Sequence, residues 1–174
     1  RGLLNRICPT TIAEIADLLA LYRPGPINSG MLKDYVDVRN GGPVKYQQEP
    51  LYSILKPTNG ALIFQEQILE IAHKMGGLSL ADADQFRRAI SKKDLEKMQK
   101  YKDRFIEGSV EKGISSELAN QIFEDIEKFA EYGFNKSHAV SYSLIAYQTA
   151  WLKTHYRTEY MASYLSSKIG DKSM

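Results

Sequence analysis

Cysteine is almost missing from this chain. Cys8 stands alone among 174 residues, so no disulfide can form within it. No Cys/His cluster has zinc spacing either. His73, His138 and His155 are too scattered to suggest a metal site. No apolar run approaches the roughly 18–20 residues that span a bilayer, and no signal-peptide pattern is visible. No membrane partner is therefore expected, and the plain reading is a cytoplasmic protein in a reducing compartment. A Walker phosphate loop and a Cys/His dyad signal are both lacking, so the chain is expected to hold no catalytic residue and no metal ligand of its own. Excess charge of one sign is also lacking. The 23 Lys and Arg stand against 21 Asp and Glu, and a net +2 identifies no partner. Only the distribution of charge can be informative.

What is present is an ordinary globular composition, 43% hydrophobic and 25% charged, at the usual length of one domain. The first residue is Arg1, not Met, and the first nine residues promise no complete element, so the chain reads as a piece of something longer.

The pattern is helical nearly throughout. Thr11 and Glu14 have capping-box spacing ahead of Ile12, Ile15, Leu18 and Leu19. Arg23-Pro24-Gly25-Pro26 should be a loop, because each proline disfavours helix at the residue before it. Helices are expected at 29–39, at 49–55 and at 61–75, with the option of extended backbone over residues 61–64. Ser79 and Asp82 start the next helix, with Leu80, Ala83, Phe86 and Ile90 inward. Ser91 looks like a new cap, opening a helix with Leu95, Met98, Phe105 and Ile106 inward. Ser115 opens another, with Leu118, Ile122, Ile126 and Phe129 inward. Residues 137–156 are apolar around most of a helix, which predicts burial on several sides. The expected fold is therefore all-α, built around that central helix, with a last helix at about 158–167. An N-terminal subdomain over residues 1–60 and a helical core over residues 61–174 are the expected divisions.

Two stretches carry the chemistry. Residues 86–104 hold eight Lys and Arg against three carboxylates, more excess charge than the whole chain carries. A solvated helix face is one explanation. Lys92 and Lys93, placed just after the cap Ser91, favour another. A helix start already bears partial positive charge and free N–H groups, so lysines there suit a bound anion such as phosphate. Tyr132-Gly133-Phe134-Asn135-Lys136-Ser137-His138 is the second stretch. Gly133 permits a turn, Asn135 or Ser137 can cap, and Lys136 and His138 then stand at another helix start. No Asp or Glu lies between Glu131 and Glu159 to neutralise them. An ordinary helix–helix turn fits the same residues. Tyr132 and Phe134 could stack on a base, worth about 1–3 kcal/mol per base, or serve as core, as Tyr142, Tyr147, Trp151 and Tyr156 are expected to do. Asp82 and Asp84 read as first-turn capping groups. Gln65-Glu66-Gln67 reads as a buried hydrogen-bonded junction or a contact to a neighbouring domain.

Five segments resemble the α subunits of bacterial DNA polymerase III, the C-family replicative polymerases. They are Leu21-Tyr22-Arg23-Pro24-Gly25-Pro26, Phe64-Gln65-Glu66-Gln67, Arg87 to Lys93, Phe129 to Ala139, and Tyr147 to Lys153. They fall in the family's order and cover nearly the whole chain. Phe64 stands where the family has Tyr, and Ile90 and Ser91 stand where it has Met and Gly. The resemblance implies the fingers region of such a polymerase. It implies that Arg87, Arg88, Lys92, Lys93, Asn135, Lys136, Ser137 and His138 face the triphosphate of an incoming deoxynucleotide, with Tyr132 and Phe134 near its base or sugar. Arg23, Gln65 and Glu66 would support that site. It further implies magnesium held by palm carboxylates outside this chain, so that the piece would be inactive alone. The implied partners are primer–template DNA, the palm and other domains of the subunit, and other replisome proteins. Without the resemblance, a stand-alone helical module binding nucleic acid or a protein remains open, as does a scaffold with no ligand.

Overall fold

The computed structural model describes residues 2–92, 94–129 and 132–169. Among these the fold is all-α, as the sequence pattern predicts. The helices are α1 (Gly2–Ile7), α2 (Ile12–Leu21), α3 (Pro24–Asn28), α4 (Met31–Arg39), α5 (Leu51–Leu55), α6 (Gln65–Lys74), α7 (Leu80–Ser91), α8 (Leu95–Glu111), α9 (Ser116–Phe129), α10 (Lys136–His155) and α11 (Arg157–Ser167), with a 3-10 turn at Lys56–Thr58.

Local chemistry sets most boundaries. The Thr11 hydroxyl accepts from the Glu14 amide at 3.2 Å, and the Glu14 carboxylate accepts from the Thr10 and Thr11 amides at 2.7 and 3.3 Å. That reciprocal cap starts α2. Ser79 caps α7. Three expectations fail at helix ends. Residues 2–7 form a short helix where none was expected. Pro24 does not enforce a loop but sits at the first position of α3, where its missing N–H costs nothing and its fixed φ suits the helix. Ser91 closes α7 and does not open α8; Asp94 is the cap, accepting from the Lys97 amide at 3.2 Å.

Two apolar clusters organise the chain. The larger unites α5 through α9. At its centre Phe86, Phe105 and Phe123 are wholly buried, with ring centroids 5.6–6.4 Å apart. The close approach of α8 to the end of α6 requires a glycine, since a Cβ on Gly108 would lie 2.1 Å from the Gly76 carbonyl oxygen. Leu80 and Leu95, expected inward, are 60% and 77% exposed. Each is the first residue of its helix and projects beyond the packed turns. The second cluster joins Ile7, Ala16, Ala20, Leu21, Tyr35, Val36, Ile63, Phe64 and Ala139, drawn from α1, α2, α4, the segment before α6, and α10.

The expected central position of residues 137–156 is overturned. Only Ala139 and Ser143 of α10 are buried. Val140, Tyr142, Leu144, Ile145, Tyr147, Trp151 and Leu152 are exposed. α2 and α11 pack against α10, and the remaining apolar positions stay about half exposed. An apolar pattern states what a helix favours, and here α2 and α11 leave most of the apolar surface of α10 uncovered. No helix among the described residues is long and apolar enough to cross a membrane.

Candidate functional site

Three helix ends meet around the turn at residues 132–135. Its backbone is pinned by a short parallel pairing with the segment entering α6: the Phe134 amide donates to the Ile63 carbonyl at 3.2 Å, and the Gln65 amide donates to the Phe134 carbonyl at 2.9 Å. The backbone over residues 61–64 is accordingly non-helical.

The polar run Gln65-Glu66-Gln67 forms the junction, one task per residue. Buried Gln67 turns inward; its Oε1 accepts from the Ile63 and Phe64 amides at 2.8 and 2.9 Å, while its Nε2 donates to the Thr58 hydroxyl at 2.8 Å. Gln65 bridges outward. Its Nε2 donates to the Gly133 carbonyl at 3.3 Å, and its Oε1 accepts from Arg87 Nη1 at 2.9 Å. Both oxygens of Glu66 accept from the Lys136 amide at 3.1 Å. Because the start of α10 is electropositive, a carboxylate there is well placed. Nothing nearby in sequence neutralises this helix start, as expected; the carboxylate comes from α6, seventy residues earlier in the chain.

Asn135 caps α10. Its Oδ1 accepts from the His138 amide at 2.9 Å and from the Ser137 hydroxyl at 2.6 Å. Asn135, Lys136, Ser137 and His138 are all exposed. The His138 ring lies between Phe134 and Tyr142, with centroids 5.4 and 4.4 Å away. The Lys136 ammonium rests over the Phe64 ring at 5.8 Å.

Arg23 clamps the turn from the other side. Its Nη2 donates to the Tyr132 carbonyl at 2.6 Å, its Nε donates to the Ala20 carbonyl at 2.7 Å, and its guanidinium lies 4.5 Å from the Phe134 ring centroid. Partial burial lowers its pKa from the ordinary value. Tyr132 packs directly against Gly25, where a Cβ would come within 2.1 Å of its ring. Tyr132 and Phe134 are thus half-buried packing residues of the turn.

From α7, Arg87 holds the Asp84 carboxylate through Nε and Nη2 at 3.1 and 2.8 Å, and Arg88 Nε takes the other oxygen at 2.8 Å. These contacts lower the Asp84 pKa, the Arg87 hydrogen bond most. Asp84 is an ion-pair partner, not the cap that the sequence suggested; Asp82 pairs with Ser79 and Arg104. Lys92 does not stand at a helix start. It caps the end of α7, where a cation complements the negative end of the dipole. Lys93 lies outside the described residues. Arg87 is thus linked through Gln65 to the 133–136 turn, and Arg88 is linked to Arg87 through Asp84. Among the described residues no group of three or more His, Cys, Asp or Glu could hold a metal ion.

Two elements escaped sequence reading. One is the pairing of Asp17 with Tyr35, whose hydroxyl donates to Asp17 Oδ2 at 3.0 Å in the second cluster. The other is Asp125, which accepts from both Lys45 and Tyr46 and ties the 43–46 segment to α9. Neither leaves a signal in spacing, since each joins residues far apart in the chain.

A family model described as "Bacterial DNA polymerase III alpha subunit finger domain" matches residues 1–113. The chain is 43% identical over 175 residues to the DNA polymerase III subunit alpha of Pasteurella multocida, covering 97% of this chain and 15% of that protein. The figures for the Vibrio cholerae protein of the same name are 44%, 97% and 15%. For the Campylobacter jejuni protein they are 46% over 169 residues, with 97% and 14% covered. The chain spans about 15% of the length of these curated relatives, and the 132–138 turn lies within the relatives' similarity but beyond the family-model match.

Proposed function

The chain belongs to the finger-domain family of bacterial DNA polymerase III alpha subunits, and from that membership we propose that it binds and positions the incoming deoxynucleoside triphosphate during template-directed DNA synthesis. The observation that carries this reading is the hydrogen-bonded path from Arg87 through Gln65 to the Gly133–Lys136 turn. It ties Arg87 of α7 to the turn that precedes α10, which supports a shared site for a polyphosphate. Arg88 and Lys136 are the exposed cations best able to reach phosphate oxygens, with Lys92 at the end of α7, Lys93, and Ser137 and His138 at the start of α10 as further candidates. Arg87, held by Asp84 and Gln65, fixes the frame. Arg23, Gln65 and Glu66 hold the turn. The role is electrostatic: to neutralise the phosphates and to stabilise charge building on the leaving pyrophosphate.

The described residues do not fit a divalent metal. In the proposed enzyme magnesium belongs to carboxylates outside this chain, and the chain alone extends no primer. Its exposed α10 and α11 faces, with Leu144, Ile145, Trp151 and Leu165, are where the rest of the subunit would pack, and the subunit as a whole would carry the contacts to primer–template DNA and to the other replisome proteins.

The test is substitution of Arg88 and of Lys136 by Ala, singly, in the full-length subunit, with primer extension followed against nucleotide concentration. A charge-assisted hydrogen bond is worth about 1.5–3 kcal/mol, so KM for nucleotide should rise roughly tenfold or more for each. Wild-type KM and turnover in both variants would refute the placement. The competing reading is a DNA-backbone binder using residues 87–104, where Lys97 pairs with Asp94 and Arg104 with Asp82 just as Arg88 pairs with Asp84. It predicts DNA affinity that falls steeply with salt and little preference for free triphosphate.

A further inference from the structure

Protein interiors pack as tightly as organic crystals, so a hollow of about 610 Å³ bordered by core residues calls for an occupant. The hollow lies where the two apolar clusters meet: Met31, which packs against both, lines it. Leu55, Ile71, Ile122, Ile126 and Phe129 supply buried side chains from α5, α6 and α9. The segment 43–46 borders it as well, and the Asp125 carboxylate ties that segment to α9 by accepting from Lys45 and Tyr46. Tyr46 and Tyr132 add aromatic rings, which suit a ring in a ligand. A volume of about 300–1,000 Å³, apolar walls and a few placed polar groups are the marks of a small-molecule pocket.

The charged groups of the lining sort by what they already hold. Asp125 is taken by Lys45 and Tyr46. Asp37 holds Lys33 at 2.7 Å. Asp34 of α4 has no side-chain hydrogen bond or ion pair among the described residues; Lys33 feels its charge but is bonded to Asp37. Lys128 of α9 has none either. Both are exposed. One carboxylate and one ammonium are thus left open on two different helices, beside an apolar interior. That arrangement is complementary to a molecule with an apolar body and one charge of each sign.

We propose that this hollow is a binding site for a small aromatic zwitterion of dipeptide size, with its ring among Ile71, Ile126 and Phe129, its amine at Asp34 and its carboxylate at Lys128. None of the residues assigned above to the triphosphate lines it, and Tyr132 alone is shared with the turn at 132–135. The two sites therefore stand or fall separately.

The test uses the dipeptide phenylalanyl-leucine as probe, with amide NMR signals of this chain followed during titration. Saturable shifts should appear at Val38, Val44, Leu62, Ile126 and Phe129, all of which belong to the lining. Acetylating the probe's amine, or amidating its carboxylate, should each weaken binding about threefold, the size of an exposed ion pair. Asp34→Asn should make acetylation of the probe inconsequential, and Lys128→Met should do the same for amidation. Both residues are exposed, so these variants keep the fold. Val44→Trp, on a non-helical segment, should fill the hollow and abolish the shifts. No saturable shift at the lining, or shifts confined to the exposed faces of α10 and α11, would overturn the site. So would undiminished binding to folded Val44→Trp. A doubly blocked probe that binds as tightly as the free dipeptide would overturn the zwitterion as its ligand.

Discussion

The aromatic centre of α7, α8 and α9 and the pair α10 and α11 both carry large apolar side chains, and these meet opposite fates. In the first, three phenylalanines from three helices close on one another with no exposed surface. In the second, Tyr147, Trp151 and Leu165 remain 43–55% exposed. Hydrophobicity alone therefore does not decide burial. Geometry does, through the number of neighbours that the chain brings to each helix. The turn at residues 132–135 lies between these regions, ahead of α10, which packs on α2.

The comparison breaks most readily at Phe123. Its replacement by Ala empties a site that touches Phe86 and Phe105 and should cost about 3–5 kcal/mol. Urea denaturation would show it. A loss under about 1 kcal/mol would mean that the centre is far looser than its ring geometry.

Asp17 should give the next largest effect, with a pH signature. Its folded pKa is raised from 3.8 to about 6 by burial. The folded state therefore holds this proton more tightly than the unfolded state. The resulting stability is fully present below the unfolded value and is lost as pH rises through about 6. A shift of about two units corresponds to roughly 3 kcal/mol. Asp17→Asn removes the titration, so its stability relative to wild type should grow by about 2–3 kcal/mol between about pH 4 and pH 8. A pH-independent difference would mean that the carboxyl titrates normally.

Much of this was legible in sequence, and what was not has a physical pattern. Thr11 with Glu14, Ser79 with Asp82, and Asn135 are read correctly because a cap and its helix are neighbours in the chain. Pro24 and Ser91 mislead because their chemistry fits two positions: proline suits a loop or a first helical turn, and serine a helix start or its last residue. The segments that carry the family resemblance include the residues of the turn, but not their partners. Glu66 at the α10 start, Gln65 beneath Arg87 and Tyr35 over Asp17 are contacts across 70, 22 and 18 positions, and no periodicity encodes them. The exposure of α10 was hidden for the opposite reason. Its pattern was clear, but a pattern names no partner.

The turn offers a smaller effect. Glu66→Gln keeps an acceptor for the Lys136 amide but removes the charge at the α10 start, and should cost about 0.3–1 kcal/mol. Hydrogen exchange should localise the loss to the first turn of α10 while α7 to α9 keep their protection. Uniform loss would place the turn inside the cooperative core instead of at its edge.

The smallest effect on folding belongs to α10. Ile145 is 53% exposed, so Ile145→Ser removes little buried apolar surface and should change stability of this chain by less than about 0.5 kcal/mol. The same substitution reduces a contiguous apolar face, of the kind that promotes association. Sedimentation at rising concentration should therefore show less self-association for the variant than for wild type at equal stability. That divergence between folding and association is what separates a face awaiting a neighbour from part of the core. If Ile145→Ser instead destabilised the chain as Phe123→Ala does, α10 would be a core helix in solution, and the contrast between the two regions would collapse.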